Sequence, residues 1–134
     1  MPEDTAAMQV EIPIPAMRLL IVDDHTQMRR MIRSILAQEA DEVREAEDGN
    51  AAVDSFRAFR PDWTIMDLQM PKVGGLEATR RILQVDPGAR VVIVSENDEP
   101  QLESSAEEAG AKAFVTKDRL LDLNRMLGRW RATP

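Results

Sequence analysis

Five times in succession this chain places a short strand-like stretch, apolar in all but the second, ahead of a segment with helical spacing. The first stretch, Leu19-Leu20-Ile21-Val22, is an unbroken apolar run of the kind found in a strand buried on both faces. Met28, Ile32, Ile35 and Leu36 then recur at helical spacing and predict a helix over 26–38. A weaker, unusually polar strand is expected over 42–46, tolerable in an outer position. Asp48-Gly49-Asn50 marks a turn, and Ala52, Val53, Phe56 and Phe59 form a second apolar stripe that Pro61 stops. Trp63-Thr64-Ile65-Met66 runs into Asp67, and a breaker-rich loop from Met70 to Gly75 precedes a third helix through Leu76, Thr79, Ile82 and Leu83. Val91-Val92-Ile93-Val94 runs into Ser95. Pro100 suits the first turn of a fourth helix, and Gly110 can end it with a left-handed cap. Ala113-Phe114-Val115 is the last strand, closed by Thr116 and Lys117. Leu120, Leu121, Leu123 and Leu127 mark a fifth helix that should end near Gly128. Strands alternating with helices in this way imply an α/β domain, a parallel sheet with helices on both faces.

The flanks read differently. Residues 1–16 carry Pro2, Pro13 and Pro15 and are expected to be an irregular arm; the domain should occupy 17–128 and residues 129–134 a C-terminal tail. Met17, just before the first strand, offers an alternative start codon. At 134 residues with 43% apolar composition, one globular domain is expected. The net charge of −7 argues against general affinity for nucleic acid. No apolar run approaches the ~20 residues of a membrane span, and the acidic N-terminus lacks the basic start of a signal peptide, so a cytoplasmic protein is expected. Without cysteine there is no thiolate chemistry, and the single histidine, His25, cannot build a histidine-rich metal site.

Ligands of such sheets bind outside the carboxyl ends of the strands. Those ends carry Asp23 and Asp24, Asp67, Ser95 and Lys117, so four strands deliver polar groups to one edge. Each has an ordinary role when taken alone: a paired Asp or a Ser often caps the helix that follows, and a Lys often lies in solvent. Taken together they point to chemistry. Three clustered carboxylates repel, and a hard divalent cation with oxygen ligands resolves the conflict.

LLIVDDH, WTIMDLQMPKVGG, VVIVSEN and AFVTK, taken together, resemble the receiver domain of two-component response regulators, and the likeness spans about residues 18–127. The resemblance implies a flavodoxin-like, doubly wound (βα)5 fold with strand order 2-1-3-4-5. It implies Asp67 as the phosphoacceptor for a partner phosphohistidine on a histidine kinase or histidine-phosphotransfer protein. Mg2+, with Mn2+ as a substitute, would be held by Asp23, Asp24, Asp67 and the main-chain carbonyl of Gln69. Ser95 and Lys117 would bind the phosphoryl oxygens, Phe114 would stand at the aromatic switch position, and the surface of the fourth helix, fifth strand and fifth helix would change on phosphorylation.

Several residues depart from the family pattern or call for a separate reading. Glu96 stands where a small residue is usual, bordering the pocket, and either slows reaction with small anionic donors or simply points into solvent. Gly74 replaces a common Asp, and Phe114 lacks the hydroxyl of the commoner tyrosine. Gln69 and Asn97 are expected to tune the lifetime of the acyl phosphate. Arg29, Arg30 and Arg33 either steer an acidic partner or form a solvated helix face. Trp63 is near enough in sequence to Asp67 to serve as a fluorescent reporter, and Trp130 lies past the expected helix end.

The functional expectation is a stand-alone signalling switch or phosphorelay component, monomeric or dimerising on phosphorylation, without turnover of a free substrate. A receiver fragment of a DNA-binding regulator and a degenerate binding module are alternatives. A phosphatase with an aspartate nucleophile is remote, because Gln69 stands where a second acid is wanted.

Overall fold

A computed structural model describes residues 16–132, so the expected arm lies outside the described residues except for Ala16. The strands are β1 (Arg18–Val22), β2 (Glu42–Ala46), β3 (Trp63–Asp67), β4 (Val91–Ser95) and β5 (Ala113–Thr116). The helices are α1 (Thr26–Leu36), α2 (Gly49–Phe59), α3 (Gly75–Val85), α4 (Pro100–Ala109) and α5 (Leu120–Ala132). A short 3-10 turn, Ala37–Glu39, extends α1 to about its expected end, and a second, Lys117–Arg119, leads into α5.

All strands pair in parallel in the order β2-β1-β3-β4-β5. This is the expected doubly wound sheet. Residue parity decides which helices each strand meets. Leu20, Val22, Met66 and Ile93 pack with Phe56 and Phe59 of α2, Ile82 of α3 and Ala106 of α4. Leu19, Ile21, Ile65, Val92 and Val94 point the other way, onto Ile32 and Leu36 of α1 and Leu120, Leu123 and Leu127 of α5. Unbroken apolar runs follow directly, because alternate residues enter two different cores. β2 is the exception: it forms an edge, and only Ala46 of its five residues is fully buried.

The chain reverses direction across the sheet between β1, whose neighbours are β2 and β3, and the β3-β4-β5 half. Asp23 and Asp24 follow β1 and Asp67 ends β3, so the carboxylates meet at this switch point. Gly75 keeps them there. A Cβ at Gly75 would lie 2.2 Å from the main-chain oxygen of Asp67, so only glycine lets α3 start this close to the strand end. Gly110 ends α4 with φ of 102°, the expected left-handed cap.

One boundary differs. α5 does not stop near Gly128 but continues to Ala132, so residues 129–132 are helical and not a tail. Gly128 marks a close approach: a Cβ there would lie 3.1 Å from Glu39 Oε1. Beyond it the Trp130 ring stacks on Trp63, with centroids 3.9 Å apart and planes 12° from parallel. Arg131 donates to the Glu39 carbonyl oxygen and pairs with Asp41 at 2.7 Å. Tertiary contacts thus carry the last turn past a residue of poor helix propensity. Removing the ring should be costly: Trp130→Ala is expected to lower stability by about 2 kcal/mol, from lost stacking and apolar burial. Urea unfolding of both forms measures it.

Candidate functional site

The lysine that opens the turn after β5 reaches back under the edge of the sheet. Lys117 Nζ lies 3.2 Å from Asp67 Oδ1 and 3.3 Å from Asp23 Oδ2. Asp23 is fully buried and Asp67 nearly so, while Asp24 is partly open. Three carboxylates against one ammonium leave two negative charges, the charge of one divalent cation. Asp23 Oδ2 and Asp24 Oδ1 are buried and only partly satisfied: Lys117 Nζ lies 3.3 Å from the first and His25 Nδ1 3.3 Å from the second. Buried lone pairs left partly satisfied are expensive, and an oxygen-ligated cation would satisfy them. The donor set therefore fits a divalent metal.

The helix-capping alternative for the Asp pair does not hold. His25 is the N-cap residue of α1, and no side chain makes a capping hydrogen bond there. The Asp23 Oδ1 atom instead accepts the backbone N–H of His25 at 2.8 Å. Ser95 does not cap α4 either; its Oγ accepts the backbone N–H of Asn97 at 3.1 Å, while Glu99 occupies the cap.

His25, Asp67, Gln69, Ser95, Glu96 and Lys117 line a cavity of about 200 Å3. Glu96 stands at its mouth, largely exposed, with Oε1 4.0 Å from Lys117 Nζ. Asn97 is exposed and outside the lining, touching the site through its backbone. Phe114 is elsewhere: it is half-buried and lines a separate cavity with Glu103, Ala106 and Glu107. Trp63 begins the five-residue strand that Asp67 ends, ~13 Å away at strand rise, and its ring stacks on Trp130.

Two residues were not assigned to the site from sequence. His25 Nδ1 sits 3.4 Å from Asp23 Oδ1 and 3.3 Å from Asp24 Oδ1, and the three side chains form a group able to hold a metal. Adjacency to the Asp pair was the available signal. Arg29 is not a steering residue: its Nη1 donates to the Asp23 carbonyl oxygen at 2.6 Å and its Nε to Glu45 at 2.9 Å. Arg33 also pairs with Glu45, at 2.5 Å, and only Arg30 of the three presents itself to solvent without a described partner.

A family profile described as the response regulator receiver domain matches residues 19–128. The chain belongs to that family. It is a receiver of two-component signalling, similar to the chemotaxis protein CheY of Bacillus subtilis, 40% identical over 118 residues that cover 84% of this chain and 98% of that protein. The transcriptional regulatory protein DegU of Brevibacillus brevis is 35% identical over 75% of this chain, a match that covers only 44% of DegU. Among solved structures, a LuxR-family two-component response regulator from Aurantimonas superposes with a TM-score of 0.81 at 33% identity, covering 88% of this chain and 86% of that one. A complex of CheX, CheY, BeF3 and Mg2+ from Borrelia burgdorferi matches with a TM-score of 0.74 at 29% identity, covering 85% of this chain and 89% of that one. In this receiver, among the described residues, no helix is long and apolar enough to cross a membrane.

Burial, with repulsion from Asp23, raises the Asp67 carboxyl from 3.8 to about 6, although Lys117 pulls it down. Burial lowers the affinity of Lys117 for its proton, but Asp67 and Asp23 more than offset this, and its pKa ends above the usual value. A carboxyl whose pKa is higher folded than unfolded is easier to keep neutral in the fold. In metal-free protein its penalty is therefore absent below about pH 3.8, grows as pH rises toward 6, and is constant above. Asp67→Asn should accordingly melt above wild type at pH 7 in chelator, with the gap closing toward pH 4. A scan of melting temperature against pH for the two proteins checks this.

Proposed function

We propose that this receiver takes a phosphoryl group onto Asp67 from a phosphohistidine of a histidine kinase or histidine-phosphotransfer protein. The observation that carries the proposal is the Lys117 ammonium held between Asp23 and Asp67 at a buried, doubly negative pocket. Asp23, Asp24, Asp67 and the Gln69 carbonyl would hold Mg2+, which supplies positive charge to the oxygens of the incoming group.

The ionised Asp67 carboxylate attacks phosphorus. An O–P bond forms, the N–P bond to the donor imidazole breaks, and the imidazole leaves with the electron pair. Lys117 offsets the charge spread over the equatorial oxygens; such transfer is mostly positioning and electrostatics. Ser95 has its hydroxyl proton to offer, because the Asn97 N–H uses only an acceptor lone pair. The product adds roughly one negative charge at Asp67, by analogy with phosphoserine. Ser95 and Lys117 then shift toward it, and the α4-β5-α5 face around Phe114 repacks as a population shift between two packings. Water later attacks phosphorus, releasing phosphate and regenerating Asp67. Gln69, in the pocket lining, tunes that step, while Asn97 bears on it only through the backbone N–H bound to Ser95; no free substrate is turned over.

The experiment is labelling with acetyl phosphate in Mg2+, followed by intact mass. Wild type should gain the mass of one phosphoryl group and Asp67→Asn none. Lys117→Ala should label roughly a hundredfold more slowly, the scale for losing one charge-stabilising donor. Chelation of the metal should abolish labelling; unlabelled wild type in saturating Mg2+ would overturn the reading.

The exposed Glu96 carboxylate near Lys117 puts a negative charge at the pocket mouth. Glu96→Ala should label several-fold faster with acetyl phosphate, more so at low salt, where exposed charges are less screened. Equal rates in the two proteins would remove Glu96 from the account of donor choice.

A second reading, that the chain is the receiver portion of a DNA-binding regulator, draws on the DegU match, which covers less than half of that protein. The mass of the native protein in its source cell separates this from a stand-alone switch.

A further inference from the structure

We infer that Arg29, buttressed by Glu45, is a positioning residue for the Asp23–Asp24 metal loop, so that the edge strand β2 sets metal affinity. The inference rests on the metal reading above.

The loop after β1 has little of its own to hold it. Asp23 carries the fixed backbone, and besides its ion pair with Lys117 it is held by three hydrogen bonds. Its N–H donates to the Ala46 carbonyl oxygen at the end of β2, at 3.2 Å. Its Oδ1 accepts the N–H of His25 at 2.8 Å. Its carbonyl oxygen accepts Arg29 Nη1 at 2.6 Å. Two of these three ties involve β2, since Arg29 is itself anchored there through Glu45.

The anchor is well made. The Arg29 side chain is only 12% exposed. Its Nε donates to Glu45 Oε1 at 2.9 Å, and its Nη2 to Thr26 Oγ1 at 3.3 Å. The other Glu45 oxygen takes Arg33 Nη1 at 2.5 Å, and Arg33 Nη2 reaches the Val43 carbonyl oxygen at 3.4 Å. The carboxylate of Glu45 thus locks two arginines of α1 onto the sheet edge. Burial opposes its charge, but the hydrogen bonds from Arg33 and Arg29 prevail and hold Glu45 below the usual carboxylate range. A polar edge strand, odd as a strand sequence, becomes intelligible as a mount for this clamp.

Charge and position make opposite demands on Arg29. A guanidinium near a cation site repels the cation, so a purely electrostatic role predicts that its removal tightens metal binding. Glu45 neutralises that guanidinium locally and leaves it free to act as a rigid hydrogen-bond fork. A positioning role therefore predicts that its removal weakens binding. Groups that hold a ligand from behind typically change metal affinity by ~10–100-fold when removed.

The experiment measures Mg2+ and Mn2+ dissociation constants by calorimetry, with melting temperature recorded for each protein in chelator. Wild type binding no metal would sink the metal reading itself. If wild type binds, Arg29→Gln should bind roughly tenfold more weakly, and Glu45→Gln should weaken binding in the same direction. Arg29→Lys keeps the charge but cannot span Glu45 and the Asp23 carbonyl oxygen, and should resemble Arg29→Gln. Arg33→Gln, which touches Glu45 but not Asp23, should change affinity least. Tighter or unchanged binding in Arg29→Gln would overturn the inference. So would a fall in melting temperature with no change in the dissociation constant, the mark of a merely structural contact. Arg29→Lys keeps an ion pair to Glu45 and guards against a result from unfolding alone.

Discussion

The Lys117 ammonium between two buried carboxylates is the constraint on which the rest of this protein depends. Asp23 follows β1 and Asp67 ends the neighbouring β3, and both carboxylates lie in a region from which water is largely excluded. One lysine from β5's far end compensates them in part. Burial first, and then repulsion from Asp23, still raise the pKa of Asp67, and the buried Asp23 and Asp24 oxygens stay only partly satisfied. A site left in this condition holds free energy ready for release by a cation or by a proton. A stably paired site would hold none, and would have no reason to react.

The fold exists to make that condition tolerable. Fully buried β3 and β4 give the carboxylate edge a rigid base. Two cores, one on each face, fix the register so that β1 and β3 end side by side. Gly75 removes the one Cβ that would push α3 away from Asp67. Asp23 is then held through its backbone and its Oδ1, which leaves Oδ2 facing Lys117 at the pocket.

How much of this could be read from the sequence depends on which interaction set each feature. β1, β3 and β4 were legible because burial on both faces leaves an unbroken apolar run. The strand-end residues Asp23, Asp24, Asp67, Ser95 and Lys117 were legible because a parallel sheet brings every such end to one edge. The end of α5 was not, since Gly128 reads locally as a stop and is overridden by the Trp63–Trp130 stack from another element. Arg29 and Arg33 of α1 read in sequence as either a partner-steering or a solvated face, and their engagement depends on Glu45, a residue whose role is invisible until β2 is seen beside β1.

These misses share a cause. Local pattern reports what a residue does to its own helix or strand, whereas Arg29, Glu45 and Trp130 act across elements. Long polar and aromatic side chains reach furthest, so they carry the least local signature and the most long-range consequence. In this protein they do complementary work at opposite ends of the sheet. The tryptophan stack secures the N-terminal end of β3, where nothing reacts, and the arginine fork secures the loop beyond β1, where the carboxylates gather. Rigidity is thus concentrated around, and not on, the oxygens left only partly satisfied. A loop free to relax would let Asp23 and Asp24 turn toward water and lose the strain. Held in place, they keep their demand for positive charge.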